Sequence, residues 1–579
     1  MLLTEFTLGL TAILTRLTVL SLNLLVTGVT VLWVTRGWRS LWRLYVRSCV
    51  NSIRQVASEL LQDPLCLALY AIGAGLILWI IFLGVLFPVT DIDGNAYHMT
   101  FVAQAIQSHS IYDAPTSITW LTGYPKGAEL MQLWSVIITH RDLVADLTQV
   151  PFIFLGVVSL YALSRRLGVR KRDARFASLL FLFIPIVINQ AKTTYIDIIL
   201  CSLFFAALAI ATKRRPSRLD LILEGIVFSL ILSVKSTGLL FVCACLPFLV
   251  ANILKLEQGR VLPAYKEYTK KLSLVAAPVA FGVYWYIKDW VLYHSPLYPF
   301  GLKVAGLQLF PGRSFQEFIA GAFSNASILP SGKLSRVWFV WTEQKDWFGC
   351  MYNYDATFSG LGPMWFVLLL PSIIVGIVIG LYRRNYLLLA VLLVVGAVFL
   401  AYPADFYTRY TMFIVLIGII CFGFASSVLG EPVRTFMRLF ALLLALNVIG
   451  TTFTLCNFTP AVIRDQIVSF RQGNPRAGVA YTNAVGNAYR FIQGNVRSGE
   501  VVAYDSSPYL IYPLWRSDYK NKVEYIPGTQ RSTWLHDVRQ AQVKYIFTNL
   551  ASKEHKWLQG APGFTSVYKD GMYEIYEAQ

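Results

Sequence analysis

Residues 65–88 read LCLALYAIGAGLILWIIFLGVLFP, a run without a single charged side chain. A bilayer core about 30 Å thick is crossed by roughly 17–25 apolar residues in a helix. In lipid the backbone must satisfy its own hydrogen bonds, so such a run is a transmembrane helix. The same reasoning applies outward along the chain, to Met364–Tyr382, Tyr386–Tyr402 and Leu439–Cys456. In all it predicts spans near 8–34, 65–88, 146–164, 174–190, 196–212, 219–234, 238–253, 273–293, 363–382, 386–402, 410–428 and 439–456. The hydrophobic fraction of 56% and mean hydropathy of +0.55 agree, since soluble chains hold about 45–50% apolar residues. The expected fold is an α-helical polytopic membrane protein with about 12 transmembrane helices.

The net charge of +18 raises the question of nucleic acid, but the placement of the charge answers it. Arg36, Arg39, Arg43, Arg47 and Arg54 lie between the first two spans. Arg165, Arg166, Arg170, Lys171, Arg172 and Arg175 follow the third; Lys213, Arg214, Arg215 and Arg218 follow the fifth. Lys255, Arg260, Lys266, Lys270 and Lys271 follow the seventh, and Arg383, Arg384, Arg434 and Arg438 complete the set. All fall in alternate loops, which the positive-inside rule assigns to the cytoplasm. The excess is a topology signal, and no nucleic-acid partner is expected. The N-terminal MLLTEF lacks a positive region, so span 8–34 reads as a true helix entering from outside, with Arg16 facing other helices or snorkelling. The eight cysteines are scattered and only Cys350 is clearly outward, which leaves no disulfide framework or metal knuckle.

Three organisational units follow. Residues 1–64 hold an extra N-terminal span and a basic loop. Residues 65–456 form the main membrane domain, with outward loops 90–145 and 294–362. Residues 457–579 form an outward domain in which Glu500–Asp505, Lys522–Ile526, Val543–Asn549 and Tyr573–Tyr576 read as short strands and Ala484–Gln493 and Thr533–Gln542 as helices, a small α/β pattern. Tyr124–Thr139 (YPKGAELMQLWSVIIT) is amphipathic and too short to cross, so it is expected in the interface plane, with Trp120 and Trp134 as anchors.

The most informative polar stretch is where the second span ends, Phe87–His98, FPVTDIDGNAYH. An Asp-x-Asp alone is common by chance. At a helix mouth, Asp91 and Asp93 could hold a divalent cation such as Mg or Mn, or one could take the proton of a hydroxyl; a solvated turn is the bland alternative. Other ionisable groups are predicted at the same level: Lys126, Lys192, Asp197 opening span 5, Lys235 between spans 6 and 7, and Arg409 just before span 11. Snorkelling accounts for Lys126 and Lys192 as well as function does. Lys235 is harder to dismiss, because it opposes the topology bias. Several cations beside a carboxylate pair suit a phosphate-bearing ligand. All six histidines are predicted outward without zinc spacing; His98, seven residues past Asp91, is the one to watch.

Taken in order, Asp91-x-Asp93, Tyr124-Pro-Lys-Gly127, Tyr195-Ile-Asp197, Lys235-Ser-Thr-Gly238, Ser295-Pro-Leu-Tyr-Pro-Phe300 and Arg409-Tyr410 resemble the C-type (GT-C-like) integral membrane glycosyltransferases, in the bacterial branch similar to protein O-mannosyltransferases and lipid A aminoarabinose transferases. The resemblance covers roughly residues 65–456. It implies a polyprenyl-phosphate-linked sugar as donor, an acceptor glycan, lipid or protein, and transfer at the outer face of the inner (plasma) membrane. It also implies Asp91 or Asp93 as acceptor-activating base with the other supporting it or a metal, Lys235 and Arg409 on the lipid phosphate, and Asp197 lining the cavity. Two departures stand out: the extra span 8–34, and Tyr-Pro-Lys-Gly where mannosyltransferases carry a Pro-Pro pair. The alternatives are a transporter or flippase of a lipid-linked or small anionic substrate, which would favour related halves and midplane helix breaks, and a scaffold with the tail as binding module.

Overall fold

The computed structural model describes residues 2–37, 39–255, 264–304, 306–314, 317, 330, 332–342, 360–403, 407–452, 457–507 and 510–579. Cys350 lies outside them. Among the described residues five helices are long and apolar enough to cross a membrane: Pro64–Leu86, Ala145–Arg166, Gly362–Tyr382, Thr408–Val428 and Glu431–Thr451. Shorter apolar helices at Asp197–Ala211, Gly238–Ile253 and Tyr386–Ala401 fill three more of the predicted spans. Helices Arg218–Val234 and Ala264–Tyr293 fill two others.

Two spans differ from expectation. Segment 8–34 is broken into Leu2–Leu10 and Arg16–Gly37. Ala12 turns the chain in the left-handed region, at φ 55°. Thr15 and Thr18 exchange backbone-to-hydroxyl hydrogen bonds at the start of the second helix, satisfying amides a helix N-terminus leaves open. Arg16 stands exposed on that first turn. Segment 174–190 also breaks: helix Lys171–Leu179 tightens into a 3₁₀ turn, and Pro185 starts a new short helix. Ile184 before the proline is extended, at φ −81° and ψ 126°, as the clash with the proline ring requires.

Helices Asp197–Ala211 and Thr408–Val428 are buried almost all round and meet at Phe204 and Phe413, whose rings are 5.9 Å apart. Each begins beside an ionisable residue, Asp197 and Arg409, so both start at one membrane face. Helix Pro64–Leu86 ends at that face, and its other end is fixed by Asp63. The Asp63 carboxylate accepts from the Cys66 amide, from Arg172 at 2.6 Å and from Arg438 at 2.9 Å.

Helix Gly127–Thr139 is not laid on the lipid surface. Leu130, Leu133 and Val136 are fully buried in a cluster with Phe101, Val102 and Leu8. Its apolar stripe is covered by other helices, which removes the reason to seek the bilayer. Gly127 permits this packing, because a Cβ there would stand 2.3 Å from the Ser233 hydroxyl.

Short strands β1 (Leu302–Val304) and β2 (Leu307–Phe310) form an antiparallel pair turned at Gly306, where φ is +84°. The C-terminal sheet has five strands: β3 (Val501–Tyr504), β4 (Lys522–Tyr525), β5 (Val543–Asn549), β6 (Phe564–Lys569) and β7 (Tyr573–Ala578), in order β4-β3-β5-β7-β6. The first three are parallel, and β7 and β6 add antiparallel. Along β5, Tyr545 and Phe547 point to one core and Ile546 to the other, the two-residue alternation of a strand. Helices Arg531–Gln540 and Lys553–Leu558 cover the second face through Trp534, Val538 and Leu558. The first face shares its core with helices Met99–Ser108 and Gly127–Thr139. The expected helix over 484–493 is divided at Gly486, whose φ of +99° no ordinary side chain adopts readily.

Candidate active site

Past Leu86 the chain leaves its helix through extended Phe87 and re-enters helical geometry as a wide turn, Gly94–His98. Asn95 ties the segment together, its amide donating to the carbonyls of Val89 (3.2 Å) and Asp91 (2.9 Å). The tail reaches the same turn: the Ile511 amide donates to the Asn95 carbonyl at 3.1 Å. Wide helical turns of this kind are frequent at functional sites.

Asp91 is buried and accepts at both carboxylate oxygens. Its Oδ1 receives the Gly94 amide at 2.7 Å and the Thr194 hydroxyl at 3.1 Å, and its Oδ2 receives the Thr194 amide at 3.1 Å. Burial raises its carboxyl above the ordinary carboxylate range, and the Thr194 and Gly94 donors and His98 offset only part of that. A Cβ at Gly94 would stand 2.4 Å from Asp91 Oδ1 and 2.2 Å from the Thr194 hydroxyl, so only glycine fits this close approach.

Asp93 faces the other way. Its Oδ2 accepts from Arg409 Nη1 at 2.8 Å and from the Tyr97 hydroxyl at 3.2 Å. Burial would raise this carboxyl too, but Arg409, with His98 and Lys235, outweighs it and holds Asp93 below the usual range. Arg409 also donates to the Tyr410 hydroxyl at 2.9 Å and lies over the Tyr195 and Tyr410 rings, at 4.5 and 4.6 Å from their centres. Lys235 sits 3.8 Å from the centre of the same Tyr410 ring and donates to Asp197 Oδ1 at 2.9 Å. Burial lowers the Lys235 ammonium, with Asp197 opposing. Gln190 completes the row by donating to Asp197 Oδ2 at 3.3 Å. The result is an alternating line, Asp93, Arg409, Lys235, Asp197, threaded by tyrosine rings. Lys235 is its most open member, with 19% of its side chain exposed.

Lys126 and His98 belong to a neighbouring group. Lys126 is buried, donates to the Trp120 carbonyl at 3.2 Å and lies 5.6 Å from the Phe101 ring centre. His98 Nδ1 pairs with Glu129 Oε1 at 2.8 Å. Burial pushes the Lys126 ammonium down, against the pull of Glu129. Glu129, despite burial, is held below the usual range by His98 and Lys126. Lys192 is drawn away into a buried pair with Asp146 at 2.9 Å.

The structure thus brings Asp93, Arg409, Lys235 and Asp197 into one line, sets Asp91 behind it on Thr194, and places His98 and Lys126 alongside. Sequence reasoning missed Glu129, Asp146, Thr194 and Tyr97, and named Tyr195 and Tyr410 only within motifs, without a role. The uncommon carboxylate within an apolar helical stretch was a signal for Glu129; nothing local distinguished Thr194. Among the described residues no three His, Cys, Asp or Glu side chains converge as a metal site, and the residues present do not by themselves furnish a cation's ligand set.

Residues 145–294 match the model of the dolichyl-phosphate-mannose-protein mannosyltransferase family. The matched segment, about a quarter of the chain, carries Asp146, Thr194, Asp197 and Lys235. No curated protein matches the chain in sequence. Among solved structures, ArnT from Cupriavidus metallidurans bound to undecaprenyl phosphate is similar at 12% identity, covering 88% of this chain and 97% of that one with a TM-score of 0.49. Its apo state gives the same values. The arabinofuranosyltransferase AftD from Mycobacteria is similar at 14% identity and a TM-score of 0.41, covering 88% of this chain and 41% of that one.

Proposed function

We propose that this chain is a membrane glycosyltransferase that moves a sugar from a polyprenyl-phosphate-linked donor to a hydroxyl of a lipid, glycan or protein acceptor on the extracytoplasmic side. One observation carries the reading: beside buried Asp91 at a helix mouth, Asp93 holds Arg409, which shares the Tyr410 ring with Lys235. Such a site offers a base for the acceptor and cations for a departing phosphate. The mannosyltransferase match over 145–294 supports it.

In this reading Asp91 is the better base. Its proton affinity is raised by burial, whereas Arg409 keeps Asp93 charged and weakly basic. The acceptor oxygen attacks the anomeric carbon as Asp91 takes its proton. The bond from that carbon to the phosphate oxygen breaks on the opposite side, with inversion, and the electron pair leaves with the polyprenyl phosphate. Arg409 and Lys235 stabilise the charge developing there, exchanging part of their pairing with Asp93 and Asp197 for the phosphate. Asp93 holds Arg409 in place before the donor arrives. Asp197 lines the cavity beside Lys235, and Lys126 and His98 border the acceptor side. A divalent cation at Asp91 and Asp93 would need further ligands from phosphate and water; no step is routed through one. About twelve membrane-spanning segments, with the α/β tail extracytoplasmic, complete the reading, on a main membrane domain of 65–456 and a tail of 457–579.

The test is reconstitution in vesicles with polyprenyl-phosphate sugars carrying label in the sugar and a membrane extract as acceptor source. Label leaving the lipid for an acceptor or water supports transfer. Lipid that crosses the bilayer with its sugar intact and unconsumed would instead make the chain a transporter.

A further inference from the structure

A cavity of about 550 Å³ opens near Arg214 and Arg215, with Thr212, Tyr386, Phe248 and Leu387 in its wall. Helix Asp197–Ala211 separates it from the carboxylate site: 15 residues at 1.5 Å rise place its two ends about 22 Å apart. The cavity therefore lies at the opposite membrane face. Its volume is within the 300–1,000 Å³ usual for small-ligand sites.

Its wall is divided by polarity. Arg214 and Arg215 are exposed, and among the described residues neither has a carboxylate within ion-pair distance. The nearest acid in sequence, Asp220, is taken by Lys213 at 2.6 Å and by Ser217. Exposed Arg383 and Arg384 stand just before Tyr386, which is itself exposed, as a tyrosine at headgroup level is. Below the cations the wall is apolar at Phe248, Leu387 and Ala390, with Asn252 among them. A cationic mouth above an apolar track fits an amphiphile with an anionic head better than a soluble ion, and basic pockets between membrane helices take acidic headgroups.

We propose that this cavity binds the phosphate headgroup of an anionic phospholipid in the leaflet opposite Asp91 and Asp93. Arg214 and Arg215 grip the phosphate oxygens, and one acyl chain follows the Phe248 and Leu387 wall.

The test is native mass spectrometry of the full chain in detergent, titrated with phosphatidylglycerol or phosphatidylcholine, for wild type, R214Q/R215Q and R214K/R215K. Thermal unfolding in the same detergent establishes that the variants fold. Wild type should retain one phosphatidylglycerol about tenfold more tightly than R214Q/R215Q, with R214K/R215K between them, and millimolar inorganic phosphate should not displace it. Equal retention by wild type and R214Q/R215Q, equal affinity for phosphatidylcholine, or displacement by inorganic phosphate alone would each overturn the proposal.

Discussion

Arg409 donates through Nη1 to Asp93 Oδ2 at 2.8 Å across 316 residues of chain. The pair joins the turn after helix Pro64–Leu86 to the first turn of the central helix Thr408–Val428. It fixes the guanidinium before any ligand arrives, with Nη2 on the Tyr410 hydroxyl and rings on its faces.

A planar fork held this way is not replaceable by a point charge. Arg409→Lys is expected to raise the KM for the lipid-linked donor about 10–100-fold, the equivalent of the roughly 1.5–3 kcal/mol of a hydrogen bond to a charged group. Arg409→Gln should lower kcat as well. Steady-state kinetics with a fixed acceptor measures both, and an unchanged KM in Arg409→Lys would remove the guanidinium from phosphate binding.

Gly94 is a steric requirement. Its Cβ would press on Asp91 Oδ1 and on Thr194, so Gly94→Ala should cost at least about tenfold in kcat/KM through displaced carboxylate geometry. Gly571→Ala, which meets nothing within 4 Å, is the control and should leave activity unchanged.

The pH dependence has a definite sign. Asp91 must be ionised to accept a proton, and its carboxyl is raised, so kcat/KM should fall as pH drops through a midpoint above the ordinary Asp value of about 3.9. The Thr194 hydroxyl stabilises the charged form; Thr194→Val should raise that carboxyl further and move the acid limb to higher pH. For stability the two acids act oppositely. Asp93, held low, favours the folded state above the ordinary carboxylate pKa, and this is lost as pH falls through its lowered value. Asp91 favours the folded state at low pH and loses that as pH rises through its raised value. A limb unmoved by Thr194→Val would mean another group titrates.

The tail is locked to the first loop by Arg476, which donates to Asp142 at 2.8 Å and to the Trp515 carbonyl at 2.6 Å, with the Tyr512 hydroxyl on the same carboxylate at 3.0 Å. Both charges are buried, and removing one strands the other, at a cost of about 3–5 kcal/mol. Arg476→Leu should free the tail for limited proteolysis while the membrane helices stay folded. Tyr512→Phe should cost about 1 kcal/mol and leave the tail docked.

Much of the fold was legible because lipid imposes a simple code: 65–88, 363–382 and 410–428 are unbroken apolar runs, and each is a helix. Segment 8–34 misled because the break falls in Thr11–Thr15 (TAILT), which stays apolar enough to register nothing in a hydropathy window, though Thr15 and Thr18 are the capping residues that divide it. Gly127–Thr139 was recognised as amphipathic, but its covering by helices from the start of the chain and from 99–108 is long-range packing that periodicity does not carry. At the site, Asp91, Asp93, Lys235 and Arg409 were visible as charges at helix ends. Their partners were not. Thr194 on Asp91 and Glu129 on His98 are contacts 103 and 31 residues apart in sequence, and no local pattern announces them.

The central claim is that Asp91 takes the acceptor proton while Asp93 organises Arg409. Purified wild type, Asp91→Asn and Asp93→Asn would be given polyprenyl-phosphate sugar labelled in the sugar, with a membrane extract as acceptor. The account predicts that Asp91→Asn binds donor normally but transfers at least about 100-fold more slowly, and that Asp93→Asn transfers with a raised donor KM. Full activity in Asp91→Asn, or loss confined to Asp93→Asn with donor binding intact, would contradict it.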